Sequence, residues 1–483
     1  MHIKYSKRII ALTLVAASAV TLGACGGTSN NSTGTGNTTG GATAESTPAT
    51  STGGGTAEAT SGSMAPDLAN NCSSPVTVTF WQQQFEDYQQ AWYKKFVDQF
   101  NAAQNCVKVN YQVVTADTWT QKLQAAQAAG TQPDIATTSY GNIKPGVAQG
   151  QFAPLDQYLP ASAFADIKSN VQSFVTMNNQ HWAYPMLVEP STVLYINNTA
   201  AQAAGLDPAN PPKSWADLLT WSQKLTTGNV KGITIASVAA DLGWSSWGMQ
   251  YNSCGYFPIS DDWSAARATD PCFADVANFY KSLYPYMPQN PKVGYTDASP
   301  YENGEVAMMV NGSWAWGQLK LDKPALVQDT TVVAMPTKDG GSGETTATLG
   351  GWTLTLDAKS KNPKQAAEFI NYLAAGDPNI MAEFFNDSGF SKYTVRTSVD
   401  QAIATNYPDT TQDAAMQTIS KDIVAYGIAE PIYPWDIALA MGTAIEATMK
   451  GTSTVDAALK TANDSINKTI QQQGLAGTNP NNS

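Results

Sequence analysis

The sequence predicts an α/β fold with a mostly parallel sheet, and the first segments after residue 75 carry the evidence. Apolar and polar residues alternate from Val76 to Trp81 and again over Val107–Val114, which is the period of a strand. Between them, Trp92, Phe96 and Phe100 recur every four residues, which is the period of a helix. Strands that alternate with helices join by right-handed crossovers and lie parallel.

The same alternation continues through the next thirty residues. Asp117 is expected to cap a helix that carries Trp119 and Leu123, and a third short strand opens at Gln132–Ile135. Ligands bind such sheets beyond the carboxyl ends of the strands. We therefore expect a binding site where these strands end.

A second unit of the same class is expected after residue 185. Val193–Ile196 and Gly232–Ala236 read as apolar strands, and Ser214 is placed to cap a helix that begins at Trp215. Later, Asn362-Pro363 predicts the start of a helix, and most of Thr411–Ile470 has helical spacing.

Residues 1–25 are interpreted as an export signal. Lys4, Lys7 and Arg8 precede the uncharged run Ile9–Leu22, which is shorter than the roughly 20 residues of a spanning helix. The run ends in Leu22–Cys25, which looks like the lipobox of bacterial lipoproteins, so Cys25 is the predicted lipidation site. The alternative is an ordinary cleavable signal with an incidental cysteine. The lipoprotein interpretation places the protein outside the cytoplasm, anchored to the membrane.

Residues 26–71 consist almost entirely of Gly, Ser, Thr, Ala and Asn, without a single Lys or Arg. Such a segment cannot bury enough apolar surface to offset its chain entropy, so a disordered tether is expected. Its random-coil reach is on the order of 35 to 40 Å. A glycosylated, mucin-like stalk is the alternative interpretation.

The remaining cysteines are Cys72, Cys106, Cys254 and Cys272. Export exposes them to an oxidising compartment, where an even number predicts disulfides. Three pairings are possible. Pairing between sequence neighbours is favoured because each pair brackets a local unit, and no Cys-x-x-Cys motif indicates redox activity.

Charge and histidine content exclude several functions. The chain has 27 Lys plus Arg against 39 Asp plus Glu, a net charge of −12, and no basic block that would suit nucleic acid. Its two histidines are His2, in the signal, and His181. We therefore expect no polyhistidine metal site and no cofactor, and a histidine-based triad would depend on His181 alone.

Eight short motifs follow one another between residues 75 and 470. They are Val76–Trp81, Pro133–Ile135, Ala183–Pro185, Val188–Pro190, Leu194–Asn197, Asn303–Met308, Gly312–Trp316 and Leu349–Trp352. Their order resembles that of family 1 extracellular solute-binding proteins, the carbohydrate receptors of bacterial ABC importers, including the maltose-binding type.

The resemblance implies a two-lobed periplasmic-binding-protein fold in which each discontinuous lobe is α/β and a hinge joins them. It places crossings near residues 186–190, 331–336 and 364–369. The first lobe would then comprise residues 72–188 and 333–368, and the second residues 189–332 and 369–478. The family's mechanism is closure around a sugar, after which a membrane permease recognises the closed shape; a monomer is expected.

The end of the first predicted strand supplies one group of candidate ligand contacts. Trp81, Gln82, Gln84 and Glu86 follow one another there, at the carboxyl end where a ligand is expected. Amides and carboxylates bind sugar hydroxyls, and flat rings bind sugar faces. The alternatives are that Trp81 faces the core and that Glu86 only serves the first turn of its helix.

Two other segments combine aromatic residues with glycine. Trp244 and Trp247 lie in a Gly/Ser-rich loop, which favours a ligand over a core role, although one ring is expected to cover the lobe. Gly350 and Gly351 would allow backbone to approach a sugar, with Trp352 beside them.

The resemblance itself supplies the remaining candidates. Tyr140 occupies a position of first-lobe contacts, Glu189 matches a hinge acid that accepts hydroxyl hydrogen bonds, and Trp314 matches a stacking tryptophan. Trp435 is similar to an aromatic position in the final helical region. For Arg396, which the resemblance does not decide, hydrogen bonds to sugar hydroxyls and a surface ion pair are equally open.

The expected function is a membrane-tethered receptor, not an enzyme, that delivers a sugar to the permease of an ABC importer. At the end of the third strand, Thr137–Ser139 replaces a bulkier aromatic residue of well-known family members, which favours a smaller or differently linked sugar over a long maltodextrin.

One alternative function is that of a secreted glycosidase that uses Glu86 and Glu189. Another is a receptor for a non-sugar solute such as a polyamine or an iron chelate, which would need more converging acids or tyrosines.

Overall fold

The computed structural model describes residues 72–115, 118–289, 291, 293–409 and 413–479. The predicted signal with Cys25, the predicted tether and the predicted cap Asp117 lie outside these residues. Among the described helices, none combines the length and apolar character needed to cross a membrane.

The strands form one larger and several smaller sheets. They are β1 (Val76–Gln83), β2 (Val107–Val114), β3 (Ile135–Ser139), β4 (Thr176–Met177), β5 (Gln180–His181), β6 (Tyr184–Pro185), β7 (Glu189–Pro190), β8 (Val193–Asn197), β9 (Met308–Asn311), β10 (Thr330–Val333), β11 (Thr348–Gly350), β12 (Trp352–Leu356) and β13 (Ile428–Ala429). The larger sheet has the order β2-β1-β3-β12-β6.

Helices connect many of these strands. They are α1 (Asp87–Ala103), α2 (Trp119–Ala129), α3 (Ile143–Ala148), α4 (Ala161–Ala165), α5 (Ser169–Val175), α6 (Asn198–Ala203), α7 (Trp215–Leu225), α8 (Ala239–Ser245), α9 (Trp247–Cys254), α10 (Pro271–Leu283), α11 (Ser299–Glu302), α12 (Trp314–Asp322), α13 (Pro324–Val327), α14 (Pro363–Ile370), α15 (Pro378–Asp387), α16 (Thr397–Asn406), α17 (Ala414–Asp422), α18 (Trp435–Met449) and α19 (Val455–Gln473). Ser214 caps α7 in a reciprocal capping box with Asp217, so its predicted role is confirmed.

The first lobe is built on the larger sheet. β1 pairs in parallel with β2 and β3, which confirms the parallel arrangement predicted from their alternation with α1 and α2. The predicted helical face of α1 is also confirmed, because Trp92, Phe96 and Phe100 are buried. Phe100 meets Phe369 of α14 edge to face at 5.2 Å between ring centroids, so α1 and α14 share one core.

The second lobe contains a smaller sheet in the order β10-β8-β9. Both of its pairings are antiparallel, whereas a second parallel unit was expected. The predicted strand Gly232–Ala236 does not form as such. Around this segment, Lys231 and Thr234 form only isolated parallel β-bridges, to Val306 and to Met309 respectively, near β9.

A third sheet, β13-β11-β7, lies between the two larger units. Glu189 of β7 pairs with Gly350 of β11, and β13 runs parallel to β11. Because β6 belongs to the first-lobe sheet and β8 to the second, the chain first crosses between residues 186 and 192. This small sheet is therefore the connection between the lobes.

The packing contradicts the expected second crossing near residues 331–336. β10 still pairs with β8 of the second lobe, and the indole Nε1 of Trp215 donates to the Pro336 carbonyl at 3.1 Å. The chain returns to the first-lobe sheet only through β11 and β12. The expected boundary at residue 333 was therefore about fifteen residues too early.

The expected third crossing near residues 364–369 was also wrong. Phe369 lies in the first-lobe core, and so do Phe384, Phe385 and Val399 further along the chain. Residues 388–393 touch α12 of the second lobe, and α17 then joins the second-lobe core, where its Ile419 packs with β8 and β9. An apolar stripe predicts that a helix is buried but does not say against which lobe.

Two disulfides are present, and they are the predicted neighbour pairs. Cys72–Cys106 joins the start of the described chain to the turn before β2, and Cys254–Cys272 joins α9 to α10. The Cα atoms are 5.5 and 5.3 Å apart, within the usual range. Each bridge closes a local unit.

Arg396 is a structural residue of the first lobe and not a ligand contact. Its side chain is buried, its Nε donates to Asp166 at 2.7 Å, and its terminal nitrogens donate to the carbonyls of Ala374 and Gly376. These contacts hold the chain at the π-helical turn that follows α14. Arg396 thus forms an ion pair, as one of the two interpretations anticipated, but the pair is buried and does not lie at the surface as expected.

We predict that Arg396→Met lowers the free energy of unfolding by about 3 kcal/mol, because it leaves a partly buried carboxylate and two carbonyls without their partner. Arg267→Met is the matched control: Arg267 is a more exposed arginine whose pair with Asp261 is 3.9 Å long, and it should cost less than about 1 kcal/mol. Urea unfolding followed by circular dichroism measures both. Equal losses would contradict the structural role of Arg396.

Candidate functional site

The candidate site is the region where the ends of first-lobe and second-lobe elements converge on the connecting sheet. Glu86 follows β1, and Trp352 begins β12 beside Ser139 at the end of β3. From the second lobe, Trp314 follows β9 directly. Glu189 of β7 lies between these two groups, so predicted residues from distant parts of the chain meet here.

The floor of the site is an ion-pair cluster around Lys392. The Nζ of Lys392 lies 2.7 Å from Oε2 of Glu189 and 3.3 Å from Oε1 of Glu86. Lys392 is only 5 % exposed. It is held beside the first crossing because its neighbour Tyr393 exchanges two backbone hydrogen bonds with Val188.

The charges of this floor cluster determine its protonation. Burial alone would lower the pKa of Lys392, but Glu189, Glu86 and Tyr88 raise it well above its ordinary value, so Lys392 is a permanent cation. Burial raises the pKa of Glu189, and the ammonium of Lys392 opposes that shift.

Glu430, directly after β13, adds a third carboxylate. It lies against Gly350 of β11 and Gly141 of the first lobe. Burial, together with the nearby Glu189, raises the pKa of Glu430 to about 7, although the backbone N–H of Gly141 opposes this shift. Glu430 therefore brings a group that titrates near neutral pH to the junction of the lobes.

The first-lobe wall carries an aromatic pair. Phe85 and Trp352 lie 4.3 Å apart between ring centroids at an angle of 54°, and both are partly exposed. Gln84 is exposed just before Phe85. This wall thus offers ring faces and an amide next to the floor.

The second-lobe wall carries three tryptophans. Trp244 of α8 lies 6.2 Å from Trp314, and Tyr295 meets Trp244 edge to face at 5.3 Å. Trp435, at the start of α18, is 46 % exposed and lies next to Gly243 of α8. The hydroxyl of Tyr295 donates to the Ser191 carbonyl at 2.9 Å, which places this wall beside the first crossing.

Asp241 adds a carboxylate to the second-lobe wall. It lies in the first turn of α8, one turn before Trp244, and its Oδ2 accepts the backbone N–H of Tyr295 at 3.0 Å. Burial raises the pKa of Asp241. Carboxylate oxygen and indole faces therefore stand side by side on this wall.

Four predicted site residues serve packing in this structure. Gln82 is fully buried, because the strand period places it on the same face as Phe80, and it accepts the hydroxyl of Tyr111. Trp81 points to the opposite face, where it packs near Trp119 with Lys122 over its ring.

The other two are Tyr140 and Trp247. The hydroxyl of Tyr140 donates to the Leu187 carbonyl at 3.0 Å within the first-lobe core. Trp247, three residues after Trp244, is buried against Tyr433. Both side chains thus serve core packing, as was anticipated for one of the tryptophans Trp244 and Trp247. These two tryptophans lie in α8 and α9 and not in the expected loop.

The two glycines also have a different role from the expected one. A Cβ at Gly350 would collide with the side chain of Glu430, and a Cβ at Gly351 with the Leu187 carbonyl. Gly351 also has a φ of 150°, in the region that favours glycine. The backbone approach they allow is therefore that of neighbouring protein atoms.

Sequence reasoning missed Phe85, Asp241, Lys392 and Glu430. Phe85 lies between the candidate residues Gln84 and Glu86. An apolar side chain within this polar stretch was the signal that could have identified it. Lys392 and Glu430 gave no local signal. Within the described residues, no group of three or more metal-ligating side chains comes together.

Comparison with known proteins agrees with this architecture. The family model of the bacterial extracellular solute-binding proteins matches residues 83–377, more than half of the chain. The chain belongs to this family. A probable ABC transporter-binding protein of Deinococcus radiodurans is 24 % identical over 306 residues, which span 59 % of this chain and 67 % of that protein.

Solved structures of other solute-binding proteins share the fold. A solute-binding protein from Thermotoga lettingae bound with α-D-tagatose matches with a TM-score of 0.67 and 22 % identity, covering 81 % of this chain and 99 % of that chain. The cyclic α-maltosyl-1,6-maltose binding protein from Arthrobacter globiformis matches with a TM-score of 0.63 and 22 % identity, covering 83 % and 100 %. The two-lobed periplasmic-binding-protein fold predicted from the resemblance is thus confirmed.

We predict that Glu430→Gln changes how the stability of this solute-binding protein depends on pH. In the folded protein the pKa of Glu430 is raised from 4.5 to about 7, so folding takes up a proton between these values. The stability contributed by the protonated form is complete below about 4.5 and is lost as the pH rises through about 7. The advantage of Glu430→Gln over the wild type should therefore grow across this interval.

Urea unfolding midpoints at a series of pH values measure this effect. Glu344→Gln, which removes an exposed carboxylate, is the control and should run parallel to the wild type. If Glu430→Gln also ran parallel, the raised pKa of Glu430 would be ruled out.

Proposed function

We propose that this protein is a receptor that binds a small neutral sugar between its lobes and delivers it to the permease of an ABC importer. The observation that carries the proposal is that each lobe brings accessible aromatic side chains towards the connecting sheet, Phe85 and Trp352 from one lobe and Trp244, Trp314 and Trp435 from the other. The sugars named in the tagatose and maltosyl-maltose structures support the same ligand class.

The chemistry of a sugar fits these walls. Its C–H faces are apolar and pack on indole rings, while its hydroxyls need acceptors around the edge. Asp241 and Gln84 stand next to the rings on either wall, and the carboxylates of Glu86 and Glu189 can accept further hydroxyl hydrogen bonds at the floor. We propose Gln84, Glu86, Glu189, Trp244, Trp314, Trp352 and Trp435 as ligand contacts, and add Phe85 and Asp241.

Closure of the lobes is the proposed conformational step. The connecting sheet β13-β11-β7 is short, so few backbone hydrogen bonds resist bending there. A ligand that contacts both walls favours the closed state by the free energy of those contacts. The permease would then distinguish the loaded from the empty receptor by shape.

The location and boundaries remain part of the proposal. We propose that Cys25 carries a lipid, that residues 26–71 tether a monomeric binding unit to the membrane, and that this unit begins near Cys72. With the crossings revised by packing, the first lobe would comprise residues 72–188 and 348–407, and the second residues 189–347 and 413–478.

The geometry supports binding rather than glycoside hydrolysis. A glycosidase needs two carboxyl groups on opposite sides of a scissile bond. Here Glu86 and Glu189 converge on the same ammonium of Lys392, which holds them together as parts of one ion-pair cluster. Release of reducing sugar from candidate oligosaccharides by the purified protein would contradict the receptor proposal.

We predict that a panel of neutral mono- and oligosaccharides contains a ligand that raises the melting temperature of the protein, since a ligand at 100 times its Kd stabilises by roughly 2.7 kcal/mol.

We also predict that Trp314→Ala weakens binding of that sugar by about 2 kcal/mol, as expected for an anchoring aromatic residue. Isothermal titration calorimetry measures the change.

Trp182→Ala is the matched control, because Trp182 is a half-buried first-lobe tryptophan whose indole donates to the Met177 carbonyl at 3.1 Å. It should leave the Kd unchanged. An unchanged Kd for Trp314→Ala would remove Trp314 from the site, and a panel without any ligand would argue against the sugar proposal.

A further inference from the structure

The floor of the cleft contains more carboxylates than a neutral ligand needs. Glu86 comes from the start of α1, Glu189 from the first crossing and Glu430 from the segment after β13. Lys392 is the one cation that an ion pair places among them within the described residues. Without Lys392, Glu86 and Glu189 would face each other across the position of its ammonium, and Glu430 would stand on the other side of Glu189.

Such a floor has the chemistry of a site for amines. An ammonium group binds best where carboxylate oxygens surround it and where aromatic faces stand nearby. Both are present, since Phe85 and Trp352 adjoin the floor on one side and the tryptophans Trp244 and Trp314 on the other. The position of the ammonium is nevertheless taken by the protein's own side chain.

The contacts of Lys392 show how completely it takes that position. Its Nζ binds Oε2 of Glu189 at 2.7 Å and Oε1 of Glu86 at 3.3 Å, and its side chain is 2 % exposed. The other oxygen of Glu86 accepts the side-chain amide of Gln89. Two of the three carboxylates are thus already satisfied from inside the protein.

We propose that Lys392 is a specificity-determining residue: it is a built-in cation that fills the place of a ligand ammonium, so the cleft admits uncharged ligands and rejects polyamines. The identity of the uncharged ligand as a sugar rests on the proposed function. Rejection arises because a second cation would be repelled by Lys392 and would find Glu86 and Glu189 engaged.

The competing explanation is that Lys392 only stabilises the fold. A purely structural ion pair predicts that its removal lowers stability and changes nothing else. The specificity role predicts, in addition, a gain: removal of the cation frees Glu86 and Glu189 and should create affinity for an external polyamine. This gain is what the experiment measures.

The experiment compares the wild type, Lys392→Met and Lys392→Arg with spermidine as the probe, by isothermal titration calorimetry at physiological ionic strength. We expect Lys392→Met to bind spermidine at least about tenfold more tightly than the wild type, a size typical of a charge-assisted hydrogen bond. Lys392→Arg keeps the cation and should behave as the wild type does.

Two further variants test whether the gain belongs to the cleft. Lys460→Met removes one surface charge from α19, where Lys460 pairs with Asp464 on the exposed face, and should give no gain. Adding Glu430→Gln to Lys392→Met should weaken the new spermidine binding several-fold, because it removes a carboxylate from the same floor.

The proposal is overturned if the wild type binds spermidine as tightly as Lys392→Met, or if Lys392→Met shows no gain. If Lys392→Met does not fold in buffer, it is refolded with spermidine or with neutral propanediol. Recovery of native ellipticity in spermidine alone supports the proposal, and failure to recover contradicts it. The readout involves no sugar, so failure of the sugar panel and failure of this proposal remain distinguishable.

Discussion

The ion pairs of Lys392 with Glu189 and Glu86 are the interaction on which the site depends. They tie the first crossing to the start of α1, and Glu189 in turn pairs with Gly350 in the connecting sheet. A buried carboxylate without a partner is costly, so Glu189 requires Lys392 close by. The arrangement therefore fixes the floor of the cleft while leaving the two walls on separate lobes.

The walls follow from where strands end. β1 and β3 run parallel, so their carboxyl ends reach the same edge of the first-lobe sheet, and β12 begins at that edge with Trp352. In the second lobe, β9 ends directly before the segment that carries Trp314. In the first lobe, parallel topology thus concentrates functional side chains at one edge of the sheet, as it does in other α/β proteins.

The features that the sequence patterns predicted correctly are those that interactions within short stretches of the chain determine. The strand period of β1 and β2, the helical face of α1, the capping box at Ser214 and the neighbouring disulfides all arise within short stretches, and all are present. The third crossing was misplaced because an amphipathic helix such as α14 records that one face is buried and not which lobe buries it. The second was misplaced because the pairing of β10 with β8 is a long-range contact that no local pattern shows. Trp244 and Trp247 show the same limit, since only two residues separate a tryptophan of the wall from a tryptophan of the core.

The floor of the site was the least predictable part. Lys392 lies 203 residues from Glu189 and 306 residues from Glu86 in the sequence. No local sequence pattern could therefore indicate that Lys392 forms ion pairs with these two residues. Glu86 and Glu189 were foreseen because one follows a strand and the other matches a family position. Their shared cation became visible only when tertiary contacts placed the segment around residue 392 beside the first crossing.

Hydrogen–deuterium exchange with and without a saturating sugar ligand tests most directly whether the guest is held by both lobes. We expect slower exchange in two groups of peptides together, those around residues 84–92 and 350–354 of the first lobe and those around 239–247 and 312–318 of the second. Protection confined to a single lobe would contradict it, because the ligand would then bind without bridging the cleft.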